Sequence, residues 1–360
     1  MDRMPDQLAS HSPPPAAADS PAARHTGQAP ARSMGGYVVS ALPWAIIGGL
    51  LWAGLFVKPQ PVGATLQPPV LERRDHYYGI TAAAEDRLLA VGSGGKILRI
   101  DPASRQVERV PVPSGQTLQD IATWDATRAV AVGNDGVILV SADGGASWQQ
   151  VADVPRSEVA NKLTRIETGA DGIAIASGEM GALLMTRDYG ATWSRLRDEE
   201  DLAWNDVALI GASRVVVVGE FGRILTSDDG GASWTETPAP VASSLMAVAF
   251  RDADHGVAVG LEGVVLETRD GGRNWRAAEL GIHDHLFDIA WDTAQQRWIG
   301  SGALGRWISA DADAARWQTG RLDERDLSWH TRVLPIKDGA WFAGANIGRW
   351  DGRAWTTLGN

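Results

Sequence analysis

The sequence predicts an all-β protein: a seven-bladed β-propeller preceded by one N-terminal transmembrane helix. Three observations lead there. A strand-like run ending in glycine, followed by a second glycine, recurs seven times, its first glycines 41, 45, 41, 41, 42 and 42 residues apart. A period of about 40–45 residues holding four short strands is the signature of propeller blades. Trp is 16 against 4 Tyr and 5 Phe, an excess expected if Trp fills a repeated structural position. An uncharged run at 37–57 stands ahead of the repeat.

Residues 1–36 are rich in Pro, Ala and Ser with no apolar period, which predicts a disordered tail. The run 37–57, YVVSALPWAIIGGLLWAGLFV, would extend about 31 Å as a helix, the thickness of a bilayer core. Pro43, Gly48, Gly49 and Gly54 are poor in a soluble helix and tolerated in a membrane one, and Trp44 and Trp52 sit toward its ends. Arg24 and Arg32 precede it and Lys58 alone closely follows. The positive-inside rule then predicts a single-pass inner-membrane protein with a cytoplasmic N-terminus and a periplasmic propeller. Val62-Gly63-Ala64 also fits a cleavage site, which would release a secreted form. Residues 58–75 carry Pro59, Pro61, Pro68 and Pro69 and predict an extended spacer. The propeller is expected over 76–360.

The 44% hydrophobic content excludes a chain disordered throughout. The absence of cysteine excludes disulfides, a thiol nucleophile and thiolate metal sites. A net charge of −11 argues against bulk nucleic-acid binding.

Within the repeat, strand a alternates, as in Leu118–Ala122 and Asn205–Ala208, and strand b is small and β-branched, as in Val215–Val218. The Gly-x-x-Gly segments read as tight b–c turns in which glycine supplies positive φ. Strand c follows, as in Val137–Val140, then a Ser/Thr-x-Asp-x-Gly-x-x-Trp turn, then strand d. Full copies of that turn are Ser141–Trp148, Thr186–Trp193, Ser227–Trp234 and Thr268–Trp275. Degraded ones end at Trp317 and Trp355, and blade one has none. The carboxylates Asp143, Asp188 and Asp270 are expected to accept backbone N–H groups, and Trp148, Trp193, Trp234 and Trp275 to pack between sheets.

That turn is the Asp-box, or bacterial neuraminidase repeat. Its wording and spacing resemble the photosystem II stability/assembly factor family, over about residues 76–360. The resemblance implies a propeller without catalytic activity that binds protein through an arginine-rich patch. Relatives in non-photosynthetic bacteria resemble accessory subunits of envelope machinery. From them we expect an accessory or assembly subunit for an integral membrane complex on its extracytoplasmic side, with an RND-class exporter as the preferred client. Known photosynthetic members are lumenal or lipid-anchored, so a transmembrane anchor departs from the pattern. A carbohydrate-binding or glycosidase-like surface propeller is one alternative; a photosystem assembly factor, if the host is photosynthetic, is another.

Chemistry is sparse. A sialidase would need a paired Tyr nucleophile and an early Arg-Ile-Pro; no Arg-Ile-Pro occurs, and only Tyr77 and Tyr78 fall outside the apolar run and the Asp-boxes. His283-Asp284-His285, with His330 in the next blade, is a weak metal pattern, and exposed or hydrogen-bonded loop histidines are the commoner reading. No cofactor or metal is expected. The candidate for function is instead a face. Turns b–c and connections d–a share one end of the ring, opposite the Asp-boxes. Lys96, Arg223, Arg306 and Arg349 each follow a second glycine there, and Lys162, Trp204, His283, His285, Trp329 and His330 lie in the nearby connections. Arg and Trp are enriched at interface hot spots. The bland alternative is a scatter of solvated cations balanced by neighbours such as Glu179, Glu220 and Glu262.

Overall fold

The computed structural model describes residues 34–56 and 70–359, with side chains from residue 41. It divides into two units, 1–67 and 68–360. In the first, a helix covers Met34–Phe56, with Pro43 inside it. It begins before residue 37, so the expected tail ends earlier; the rest of the tail, residue 57 and residues 58–69 of the expected spacer lie outside the described residues. Leu42, Trp44, Leu50, Leu51, Leu55 and Phe56 are exposed on the helix. Among the described residues no helix is long and apolar enough to cross a membrane, so the expected anchor finds no support in the structure.

The second unit is built from seven four-stranded antiparallel sheets, each made of strands consecutive in the chain. Their first strands are Tyr77–Ala84, Leu118–Thr123, Leu163–Thr168, Trp204–Ile210, Leu245–Phe250, Leu286–Asp292 and His330–Ile336. Second strands are buried on both faces because each sheet is sandwiched between two others. That is why Val215–Val218 is a continuous apolar run, every residue 1% exposed or less, rather than an alternating one. The ring closes without strand exchange. Tyr77, Ile80, Leu88, Ala90 and Leu98 of blade one pack directly on Trp341, Ala343 and Ile347 of blade seven. The Thr331 hydroxyl donates to the Tyr78 carbonyl at 3.2 Å. Residues 70–74 form no strand, so the segment ahead of blade one lends none to blade seven.

The two glycines of each b–c turn serve different ends. In the first six copies the second has positive φ, as expected: +63° at Gly136 and +70° at Gly222; in the seventh the second glycine, Gly348, lies within strand c instead. The first is extended, with φ −170° at Gly133. It is glycine because the chain entering the blade passes too close for a side chain. A Cβ on Gly133 would lie 2.2 Å from the Thr117 carbonyl oxygen, and one on Gly344 2.1 Å from that of Trp329. Those carbonyls are held there by the residue after the glycine: Asn134 N–H donates to Thr117 O at 2.8 Å, and Ala345 N–H to Trp329 O at 2.9 Å.

The first strands share a second device. Pairing slips by one residue near the start of each, between Leu118 and Asp120, Trp204 and Asp206, and at the equivalent place in the other blades. Such a bulge re-aims the following side chain. The third position of the strand therefore sits beside the axis, occupied in order by Gly79, Asp120, Arg165, Asp206, Ala247, Asp288 and Arg332.

Candidate functional site

The Asp-boxes hold one rim. Asp143 accepts Ser147 N–H at 2.9 Å and the Ser147 hydroxyl at 2.6 Å, Ser141 Oγ accepts Gly145 N–H, and the Trp148 indole donates to Gly145 O at 3.2 Å. The same contacts recur around Asp188, Asp229 and Asp270. The Ser147 hydroxyl and N–H favour the ionised form and hold Asp143 down at about 2. Trp148, Trp193 and Trp275 are buried and Trp234 half-buried between blades. Even blade one, which lacks the motif, pins its turn with a carboxylate, Asp101 accepting Ala103 and Ser104 N–H.

At the opposite face the structure redistributes the expected residues. Lys96, Arg223 and Arg306 occupy corresponding turns, and each is neutralised. Lys96 pairs with Asp75. Arg223 binds Glu236 with two bonds, 2.8 and 2.9 Å, and also pairs with Glu200. Arg306 donates to Asp284 at 2.8 Å. Arg349 is not in this set. The seventh turn is Ala345-Asn346, strand c starts at Ile347, and Arg349 lies mid-strand, donating to the Asp338 carbonyl beside the a–b turn at the other end. Asn346 holds the position assigned to the cation, bonded to Asp326, Ser328 and His330.

Two of the other expected residues are core residues. Trp204 is 0% exposed, under the Arg223 guanidinium, and His330 is 1% exposed. The His330 ring stands edge-on to Phe342 and Trp355 with one nitrogen 3.0 Å from Asn346 Oδ1, and burial holds its pKa below the usual histidine value. Trp329 is half-buried, stacked on Tyr78 at 5.7 Å and tilted against His76. His285 accepts the Glu262 N–H. Among the described residues no group of three His, Asp or Glu is placed to hold a metal ion.

An axial charge network escaped the sequence reading. Asp120 accepts Ile166 N–H at 3.1 Å, Asp206 accepts Val248 N–H at 2.9 Å, and Asp288 accepts Val333 N–H at 2.7 Å, each from the next blade. Arg165 crosses from blade three to donate to the Phe287 and Thr331 carbonyls, both at 2.9 Å, with Asp288 at 3.7 Å. Arg332 reaches Asp120 at 3.2 Å and Asp288 at 3.4 Å. Burial and neighbouring carboxylates push Glu167, half-buried beside this ring, up to about 8; burial pushes Asp206 up to about 6. Burial opposes the charge on Arg332, but Asp120, Asp288 and Asp206 outweigh it and strengthen its hold on the proton. The detectable signal was the alignment of third positions across the repeat.

The opposite face also carries exposed apolar residues at strained positions. Phe221 (φ +58°) and Leu304 (φ +56°) occupy the third place of their Gly-x-x-Gly turns, where blade one has Gly94 and blade two Asp135. A bulky side chain in the left-handed region costs roughly 1–2 kcal/mol.

A ring of seven repeated sheets, an Asp-box rim and an axis sealed by its own side chains define a non-swapped Asp-box β-propeller. The family model for photosynthesis system II assembly factor YCF48 matches residues 100–238 and 232–287, just over half of the chain. The chain belongs to that family. Among solved structures it is similar to YCF48 bound to a D1 peptide, at 17% identity over 77% of this chain and 92% of that one, with a TM-score of 0.64. It is also similar to YCF48 from Cyanidioschyzon merolae, at 15% identity over 76% and 94%, TM-score 0.62. The GH74 xyloglucanase of Xanthomonas campestris matches at 15% identity and TM-score 0.61, with 76% of this chain covering 52% of that one. These likenesses establish the fold. No curated protein sequence matches the chain.

Proposed function

We propose that the protein is a non-catalytic, membrane-anchored propeller that binds an integral membrane protein complex as an accessory or assembly subunit. Closure of the axis carries this reading. Arg165 and Arg332 reach across the centre of the ring and pair with Asp120 and Asp288, so those two carboxylates are already engaged and not free to act as a glycosidase pair on a bound sugar. What the propeller offers is faces. A solved structure of the same fold holds a D1 peptide, which favours a protein client.

In this reading the anchor is the uncharged sequence segment 37–57, most of which lies in the Met34–Phe56 helix. It carries no charged residue, and the side chains of the helix from 41 on are predominantly exposed, as expected of a segment whose partner is lipid. In this reading the N-terminus is cytoplasmic, the propeller lies on the extracytoplasmic side of the inner membrane, and the client is an RND-class exporter. Tethering raises the effective concentration at a membrane client without any new contact. The test is mild-detergent extraction of the tagged full chain from native membranes, with mass spectrometry of what co-purifies. A stoichiometric integral membrane protein supports the reading, and an exporter subunit supports its finer form. Recovery of the chain in the soluble fraction, or alone with retention on a glycan array, overturns it.

A further inference from the structure

Among the described residues of the propeller unit, the large apolar side chains that stand exposed are Val70, Val159, Phe221, Leu304 and Leu327. Val159 is 76% exposed, Phe221 69%, Leu327 55% and Leu304 42%. Apart from Val70, which precedes the first blade, each lies in a b–c turn or a d–a connection. The Asp-box rim has none. Scattered singly, such residues need no account; confined to one end of a ring, two of them at left-handed positions, they do.

The same face is acidic. Asp198, Glu199, Glu200 and Asp201 fill one connection, Asp323, Glu324 and Asp326 another, and Asp135, Glu179, Glu220 and Glu262 stand in four of the turns. The cations there are fewer, and Lys96, Arg223 and Arg306 are already paired. First strands begin at this face, so the chain also joins the propeller here, at Tyr77.

We propose that this face docks a cationic segment of a protein partner, carrying apolar side chains that seat against Phe221, Leu304 and Leu327. The acidic excess selects against anionic lipid and against an acidic peptide, since like charges facing each other cost affinity and slow encounter. The inference rests on the protein-binding reading above and names its surface and the partner's chemistry.

The test compares two pairs of substitutions in the tagged full chain, recovered from native membranes. Phe221→Ser with Leu304→Ser alters the face; Asp86→Lys with Asp254→Lys alters exposed residues on the Asp-box rim. Melting followed by Trp fluorescence checks that both stay folded. The first pair is expected to cut the co-purified membrane protein by roughly tenfold or more, the second to leave it unchanged. A photo-crosslinking residue placed at Leu327 is expected to capture a Lys- and Arg-rich apolar segment, and release by salt should be steep because the contact is partly electrostatic. Loss of the partner with the rim pair, retention with both pairs, or capture of an acidic segment overturns the proposed face and leaves the accessory-subunit reading standing. No membrane protein captured by the unaltered chain overturns both.

Discussion

Glu167→Gln is the substitution that tests the axial network most directly. Glu167 stands half-buried beside Asp120, Asp206 and Asp288, with burial first and those carboxylates next raising its pKa from 4.5 to about 8. The folded protein therefore keeps a proton that the unfolded chain releases near pH 4.5. Stability falls as pH rises from there and levels off above about 8. Asp206, raised to about 6, contributes mainly at lower pH, so the window from pH 6.5 to 9 isolates Glu167. A gap of about 1.5 pH units within that window is worth at most about 2 kcal/mol, and water at the half-exposed carboxyl reduces it to about 1 kcal/mol. For a domain of this size about 1 kcal/mol moves the melting temperature by roughly 2–4 °C. The assay is melting of the full chain in mild detergent, followed by Trp fluorescence at pH 6.5, 7.5, 8.5 and 9. The wild-type Tm should fall by about that much relative to Glu167→Gln, whose amide cannot ionise. Taking the difference between the two proteins cancels every other titrating group. A variant that is less stable at all four pH values, with the wild-type slope unchanged, would show that Glu167 is ionised and held by Arg332, and the reasoning would be refuted.

Four further substitutions probe the repeat and the axis. Gly133→Ala puts a Cβ 2.2 Å from the Thr117 carbonyl oxygen and should prevent stable folding or cut the melting temperature sharply. Gly94→Ala meets no atom within 4 Å at φ +63° and should cost about 1 kcal/mol; equal losses in the two would remove the close-approach explanation. Trp148→Ala, in an indole 6% exposed between blades one and two, should cost about 3–5 kcal/mol by denaturant unfolding. Arg165→Met should cost about 3–5 kcal/mol by leaving Asp288 short of a partner, and the double variant with Asp288→Asn should recover much of it; no recovery would mean that Arg165 acts only through its carbonyl bonds.

The blades were legible because their information is local and repeated. Glycine spacing, the Ser/Thr-x-Asp turn and the Trp that ends it each have a fixed place in the chain, and seven copies average out exceptions. Where a copy departs from the pattern, reading by pattern fails. The seventh turn has an extra residue between its glycines, so counting from Gly348 assigned Arg349 to the turn, whereas strand pairing gives that place to Asn346. Trp204 and His330 look like loop residues in the sequence, yet each opens a first strand and is buried there. The axial network was missed for a different reason. Its members are up to 166 residues apart in the case of Arg165 and Thr331, and their meeting depends on a bulge that no single blade's sequence announces.

The network also bears on how the ring holds together. Many closed rings could lock their ends by lending a strand from one terminus to the last blade; here all four strands of blade seven come from 330–357 and all four of blade one from 77–110. The seam is left with the same kind of side-chain packing as the other interfaces. Arg165 and Arg332 supply what packing alone does not, because each reaches at least one blade that is not its neighbour: Arg165 of blade three bonds to blades six and seven, and Arg332 of blade seven bonds across to blade two as well as to the adjacent blade six. Opening the seam between blades one and seven while Arg332 still holds blade two would strain the ring on both sides of blade one. Gly79 fits this arrangement. A Cβ there would come within 2.8 Å of the Asp120 backbone, so blade one gives up its own side chain at the axis and lets Arg332 pass across to blade two. With closure secured at the centre and the Asp-boxes fixing one rim, the third places of the turns on the opposite face are free to carry strained and exposed residues such as Phe221 and Leu304.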